Sequence, residues 1–154
     1  MKSASDHNKP QVTRGFGLLE NILAKRRSRR ANALIPDSYR GGRLLDIGCG
    51  AYPYFLLNTT FNEKYGIDMA PAITHWKEVF SSDPMLHLEQ GEVGTGKELP
   101  FESDFFEVVT MLAVFEHIEQ VHLRPMVMEI HRVLKSGGLF ILTAPPGWTD
   151  RLLR

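Results

Sequence analysis

From Arg43 onward the chain alternates short apolar runs with segments of helical spacing. Strand-like runs occur at 43–47, 64–67, 85–89, 106–111 and 139–143. Between them lie candidate helices at 54–57, 72–79, 115–121 and 124–134. The last is the clearest, with Met126, Ile130, Val133 and Leu134 on one face and Pro125 acceptable in a first turn. Ser136, Gly137 and Gly138 then predict a tight turn that returns the chain to a strand. Upstream, residues 1–14 are polar without a hydrophobic period and predict a flexible tail. Residues 15–34 place Phe16, Leu19, Ile22, Leu23 and Ala33 at positions that predict an amphipathic helix. Pro36 ends it, and Gly41 and Gly42 loosen the linker that runs to residue 42. The expected organisation is thus a tail, a basic helix with its linker, and one domain over 43–154.

Strand–helix alternation of this kind predicts an α/β, Rossmann-like architecture: a mostly parallel sheet of about five strands with helices on both faces. A composition of 43% hydrophobic and 23% charged residues fits an ordinary globular chain. No apolar run approaches the ~20 residues of a membrane span. The N-terminus lacks the apolar stretch of a signal peptide. One cysteine, Cys49, rules out an internal disulfide framework, and a reducing cytoplasm is the expected compartment. The zero net charge hides an asymmetry, because residues 1–43 hold ten Lys/Arg against three Asp/Glu. Lys25, Arg26, Arg27, Arg29 and Arg30 could bind nucleic acid or an anionic membrane surface. The alternative is a solvated helix face, and no aromatic residue is interleaved there to stack on bases.

The chemistry concentrates in LLDIGCGAYPYF, residues 44–55. Leu44, Leu45 and Ile47 read as buried strand positions, with Asp46 near the strand's carboxyl end. Gly48 and Gly50 let the backbone turn sharply and approach a ligand with no Cβ in the way. A dinucleotide fingerprint would require a third glycine, where Pro53 stands. An acid two residues before the first glycine would repel phosphate and suits an ammonium group. The next strand ends in Asp68, an acid placed to accept from ribose hydroxyls. Ammonium at the first strand and ribose at the second, with no phosphate needed, are the requirements of S-adenosylmethionine.

Residues 43–146 resemble the class I S-adenosylmethionine-dependent methyltransferases in four ordered segments. LLDIGCG is similar to their first motif and YGIDMA to their ribose-acid motif. ELPFESDFFEVVTMLAVFEHI and EIHRVLKSGGLFILTAPP are similar to their fourth- and fifth-strand regions. The resemblance implies that Asp46, Gly48 and Gly50 hold the methionine end, that Asp68 takes the ribose and that Met69 packs on adenine. It further implies Glu92 as the residue facing the adenine amine, with Cys49 and Ala113 as small residues of the cofactor set. Two departures stand out: Tyr52 replaces a glycine common in the family, and the loop 92–100 is long. The family's usual C-terminal helix and antiparallel strand pair are not expected here; only a helix N-cap at Thr149 or Asp150 can be placed, so an incomplete domain is expected.

His117, after the fourth strand, is the candidate catalytic base; the alternative is that it caps or packs the next helix. His122 and His131 read as helix-surface residues, and no His/Cys/Asp/Glu set has metal-ligand spacing. Residues 91–97 nearly spell a phosphate loop, but Glu98 and Pro100 stand where a hydroxyl residue and a helix are needed. The expected function is methyl transfer from S-adenosylmethionine to an acceptor that the sequence leaves open, with a small molecule favoured. The alternatives are a cofactor-binding domain without turnover and a nucleic-acid-binding module on the basic helix. A nicotinamide dehydrogenase is disfavoured by Asp46 and Pro53.

Overall fold

A computed structural model describes residues 18–144. Its elements in chain order are α1 (Leu18–Leu34), β1 (Arg43–Ile47), α2 (Tyr54–Leu57), β2 (Glu63–Asp68), α3 (Ala72–Val79), β3 (Leu86–Gln90), β4 (Phe106–Leu112), α4 (Gln120–Val133) and β5 (Leu134–Thr143). Short 3-10 turns lie at Asp37–Tyr39 and Phe115–His117. The strands form one sheet in the order β3-β2-β1-β4-β5, and every neighbouring pair is parallel. The tail at 1–14 and the helix N-cap at Thr149 or Asp150 lie outside the described residues. No helix among the described residues is long and apolar enough to cross a membrane.

The central strands are apolar at successive positions because helices cover both sheet faces. On one face Leu45, Ile47, Ile67, Val109 and Met111 pack with Leu123, Met126, Ile130 and Val133 of α4. On the other, Leu44, Val108, Leu86, Leu88 and Ile141 pack with Ala31 and Ile35, with Phe55 and Leu56 of α2, and with Ile73 of α3. Alternate side chains of the central strand β1 thus feed opposite cores, Leu44 one and Leu45 and Ile47 the other, as the two-residue period of a strand requires.

Four local expectations are corrected. The core-facing side of α1 is not formed by Ile22, Leu23 and Ala33: Ile22 and Leu23 are 47% and 42% exposed and Ala33 is exposed, whereas Ser28 and Ala31, with Ile35 just beyond the helix, are buried; Phe16 lies outside the described residues. Small side chains at helical spacing let the helix lie close, and closeness outweighed hydrophobic bulk. The 115–121 segment makes only a 3-10 turn, because Ile118 takes an extended conformation (φ −81°, ψ 130°) and α4 begins at Gln120. Pro125 therefore lies inside α4, past its first turn. Ser136–Gly138 does not separate helix from strand: β5 begins at Leu134, and the glycines form a bulge in which the register jumps from Phe106↔Leu134 to Val108↔Leu139. Gly137 adopts φ +76° there, and the Tyr39 hydroxyl donates to its carbonyl at 2.9 Å.

Two arginines tie the connections to the body. Arg40 donates from Nη2 to the carbonyls of Asn32 (2.9 Å) and Ile35 (3.1 Å), so the orphan carbonyls at the end of α1 are satisfied by a cation. Its Nη1 also donates to Asn32 Oδ1 at 3.1 Å, an oxygen shared with the Thr59 hydroxyl. Arg132 of α4 grips Glu129 with two nitrogens and donates to the carbonyls of Leu99 and Phe101, while the Leu99 amide donates to Glu129 Oε2 at 2.8 Å. That network holds the loop before β4 against α4. Truncation of Arg40 to alanine orphans partly buried acceptors, so the unfolding free energy should fall by about 2 kcal/mol. Arg30→Ala, on the exposed face, should change it by less than about 0.5 kcal/mol. Urea titration of both variants distinguishes them; equal losses would mean that Arg40 does not hold the helix end.

Candidate functional site

In a parallel sheet the loops after the strands gather at one edge, and ligands bind outside the strands' carboxyl ends. Here that edge holds a cavity of about 690 Å³. β1 and its turn contribute Asp46, Gly48, Cys49 and Gly50; the tip of β2 contributes Asp68 and Met69; α2 contributes Tyr54 and Phe55. β4 supplies its last residue, Leu112, the segment after it supplies Ala113, Val114, Glu116, His117 and Ile118, and Val93 adds a wall. The remaining side is α1, through Leu23, Ala24, Arg27 and Ser28.

The turn after β1 is locked in place. Gly48 and Gly50 adopt φ of +72° and +86°, which side chains disfavour. The Gly48 amide donates to the Ile67 carbonyl at 2.8 Å, and a Cβ at Gly48 would lie 2.3 Å from Val114 Cγ2. The Gly50 amide donates to Asp68 Oδ2 at 2.8 Å, and the Ala70 amide donates to Oδ1 at 2.7 Å. Asp68 is therefore oriented by backbone from both sides, and a carboxylate can accept more than two bonds. Beneath the turn lies Gly66, where a Cβ would fall 2.7 Å from Leu56 Cδ1 and 2.9 Å from Cys49 Sγ.

Asp46 is only 2% exposed, and the Thr110 hydroxyl donates to its Oδ1 at 2.7 Å. Burial pushes its pKa from 3.8 up to about 7; the Thr110 bond opposes the rise and the nearby Asp68 adds to it. A carboxyl kept this dry gains most from a cationic ligand. Burial, with Asp46 and Asp68 nearby, also pushes the Cys49 thiol well above its ordinary range, so it stays protonated and serves as a small wall residue. Ala113 sits at φ +58° with its amide donating to Thr143 Oγ1 at 2.9 Å. A left-handed alanine costs about 1–2 kcal/mol, and it turns the chain out of β4 directly at the cavity wall.

Of the residues expected at a cofactor site, Asp46, Gly48, Cys49, Gly50, Asp68, Met69 and Ala113 come together around the cavity, and so does His117, on its exposed rim. Glu92 is not brought to it: its carboxylate pairs with Lys97 at 2.7 Å, and the next residue, Val93, lines the cavity. Arg27 and Glu116 were not expected as lining residues. Arg27 turns inward from the basic stretch while Lys25, Arg26, Arg29 and Arg30 stay exposed. The small residues Ala24, Ser28 and Ala31 were the available signal, since they mark the inward face next to Arg27. No group of three His, Cys, Asp or Glu residues among the described ones is arranged to hold a metal ion.

The Asp46 shift carries a pH signature. Its folded pKa of about 7 lies above the ordinary 3.8, so the stability from holding the proton is complete below about pH 4 and lost as pH rises through about 7. Asp46→Asn keeps an acceptor for Thr110 without the charge. The variant should come nearest the native chain in thermal unfolding near pH 4 and exceed it near pH 8.5. A difference unchanged between those pH values would show that Asp46 is not held protonated.

The model of the methyltransferase-domain family matches residues 45–142 of the chain. An uncharacterised methyltransferase, YcgJ of Bacillus subtilis, is 31% identical over 101 residues, covering 65% of this chain and 39% of the relative. The solved YcgJ structure superposes with a TM-score of 0.64 at 25% identity, over 84% of this chain and 56% of that one. A TehB-like methyltransferase from Corynebacterium glutamicum superposes with a TM-score of 0.66 at 22% identity, over 88% and 75%. The chain thus spans well under two thirds of its curated relative's length. With the glycine turn, the two strand-end acids and nearly all of the parallel sheet inside the matched region, the chain belongs to the class I S-adenosylmethionine-dependent methyltransferase family.

Proposed function

We propose that this chain carries the cofactor-binding half of a methyl-transfer site, moving a methyl group from S-adenosylmethionine to a small-molecule acceptor. The observation that carries the proposal is the pair of buried acids at the ends of adjacent strands, Asp46 beside Thr110 and Asp68 beneath the Gly50 amide. Asp46 would take the cofactor's ammonium group, Asp68 the ribose hydroxyls, and Met69 the adenine face. Arg27, the one Lys or Arg among the described residues that line the cavity, would take the methionine carboxylate, a planar anion that suits a guanidinium fork. When bound, S-adenosylmethionine supplies a methyl carbon on a sulfonium that leaves without protonation.

The protein's own contribution is alignment and dryness. Leu23 and Ala24 of α1, Val93 and Ile118 give the cavity apolar walls that exclude water. Holding two reactants in line can supply about 7–11 kcal/mol of the barrier, so a strong covalent catalyst is not required. His117, exposed at the cavity rim, would carry a proton away from the acceptor. A cytoplasmic setting fits the single, unpaired and buried Cys49.

Calorimetric titration with S-adenosylhomocysteine tests the cofactor site without any acceptor. The native chain should bind saturably, and Asp68→Ala should bind at least ~10-fold more weakly, about 1.4 kcal/mol. A folded native chain that does not bind would end the proposal.

A further inference from the structure

Among the described residues, three carboxylates and one guanidinium line the cavity: Asp46, Asp68, Glu116 and Arg27. Two of the carboxylates are satisfied within the protein, Asp46 by Thr110 and Asp68 by the Gly50 and Ala70 amides. Glu116 is different. Its Oε2 is buried with no hydrogen-bond partner, alone in this among buried side-chain nitrogens and oxygens of the described residues. A buried acceptor left unpaired costs free energy, and a charged one costs more. Nothing local accounts for its position except the packing on either side: Phe115 is fully buried and Ile118 is 6% exposed. These neighbours pin the 3-10 turn after β4, and the turn carries Glu116 to the cavity wall beside Val114, which interlocks with Gly48.

We propose that Glu116 recognises the methyl acceptor, and that this acceptor is a small molecule carrying a basic amine whose N–H bonds to Oε2. The inference rests on the cofactor assignment above, which leaves Glu116 as the one lining carboxylate without a role. Charge selects an amine over a neutral hydroxyl. Once the cofactor's ammonium sits on Asp46 and holds it ionised, three carboxylates against one guanidinium among the described residues leave the lining with two negative charges. S-adenosylmethionine, with its sulfonium, ammonium and carboxylate, brings one net positive charge, so one negative charge remains. A cationic amine at Glu116 cancels it and also supplies the missing donor; an alcohol supplies the donor alone. Specificity would follow, because a site built around an unpaired charge rejects a neutral isostere of the right shape.

The test uses thermal unfolding of the chain saturated with S-adenosylhomocysteine. The probes are cyclohexylamine, benzylamine and N-methylbenzylamine, set against cyclohexanol and benzyl alcohol at equal millimolar concentrations. At least one amine and neither alcohol should raise the melting temperature, and the shift should vanish in Glu116→Gln. That variant should fold, melt above the native apo chain because the unpaired charge is gone, and bind S-adenosylhomocysteine within about twofold of native. Alcohols that stabilise as well as amines, amines without effect, or an amine shift retained in Glu116→Gln would each overturn the inference. So would a tenfold loss of S-adenosylhomocysteine affinity in the variant, which would assign Glu116 to the cofactor. Failure of S-adenosylhomocysteine to saturate the native chain is a separate result, since it removes the cofactor site itself.

Discussion

The parallel pairing of β1 with both β2 and β4 is the constraint on which the site depends. It sets Asp46 opposite Gly66 on one side and Thr110 on the other, with all three strands ending at the same edge. From that register come the hydroxyl that holds Asp46, the space under the glycine turn, and the reach from Gly50 to Asp68. A one-residue slip would turn Asp46 toward the α4 core and Leu45 toward the cavity. Leu44, Leu45 and Ile47 are each fully buried, so such a slip is opposed by both cores at once.

The edge of the sheet also concentrates the features that oppose stability. A carboxyl is buried at Asp46, an alanine is left-handed at residue 113, and a glutamate oxygen at residue 116 is unpaired. All three border one cavity, whereas the opposite end of the sheet carries ordinary ion pairs such as Glu107 with Lys135 and Arg43 with Glu63. Buried acidity gathers where a ligand can compensate it, whereas backbone strain is divided, since the left-handed Asp104 (φ +54°) lies at the opposite end, just before β4. The scaffold supports these costs through two continuous cores and through side chains that tie loops to helices, Arg40 and Arg132.

Most of the sheet was legible in the sequence because its strands are short apolar runs bounded by glycine, proline or charge. The glycine turn and its acids were legible for a different reason: Asp46, Gly48, Gly50 and Asp68 act through backbone geometry that only those residue types allow. What could not be read was set by tertiary contact. The inward face of α1 is small rather than apolar, so a search for large residues picked Ile22 and Leu23 over Ser28 and Ala31. Arg27 was hidden in a cationic run that looked uniform. Glu92 looked like a site residue by its place after β3, and Lys97, five residues on, claims its carboxylate. The orphan at Glu116 has no sequence signature at all, since burial of one oxygen depends on how Phe115 and Ile118 seat the turn.

Gly66 gives the arrangement its depth. The middle of β2 has no side chain, and Leu56 and Cys49 occupy the vacancy from above. The loop that meets the ligand therefore rests one side chain closer to the sheet than any other residue at position 66 would permit. Affinity at the surface of this protein is thus set partly from its interior, by an atom that is not there.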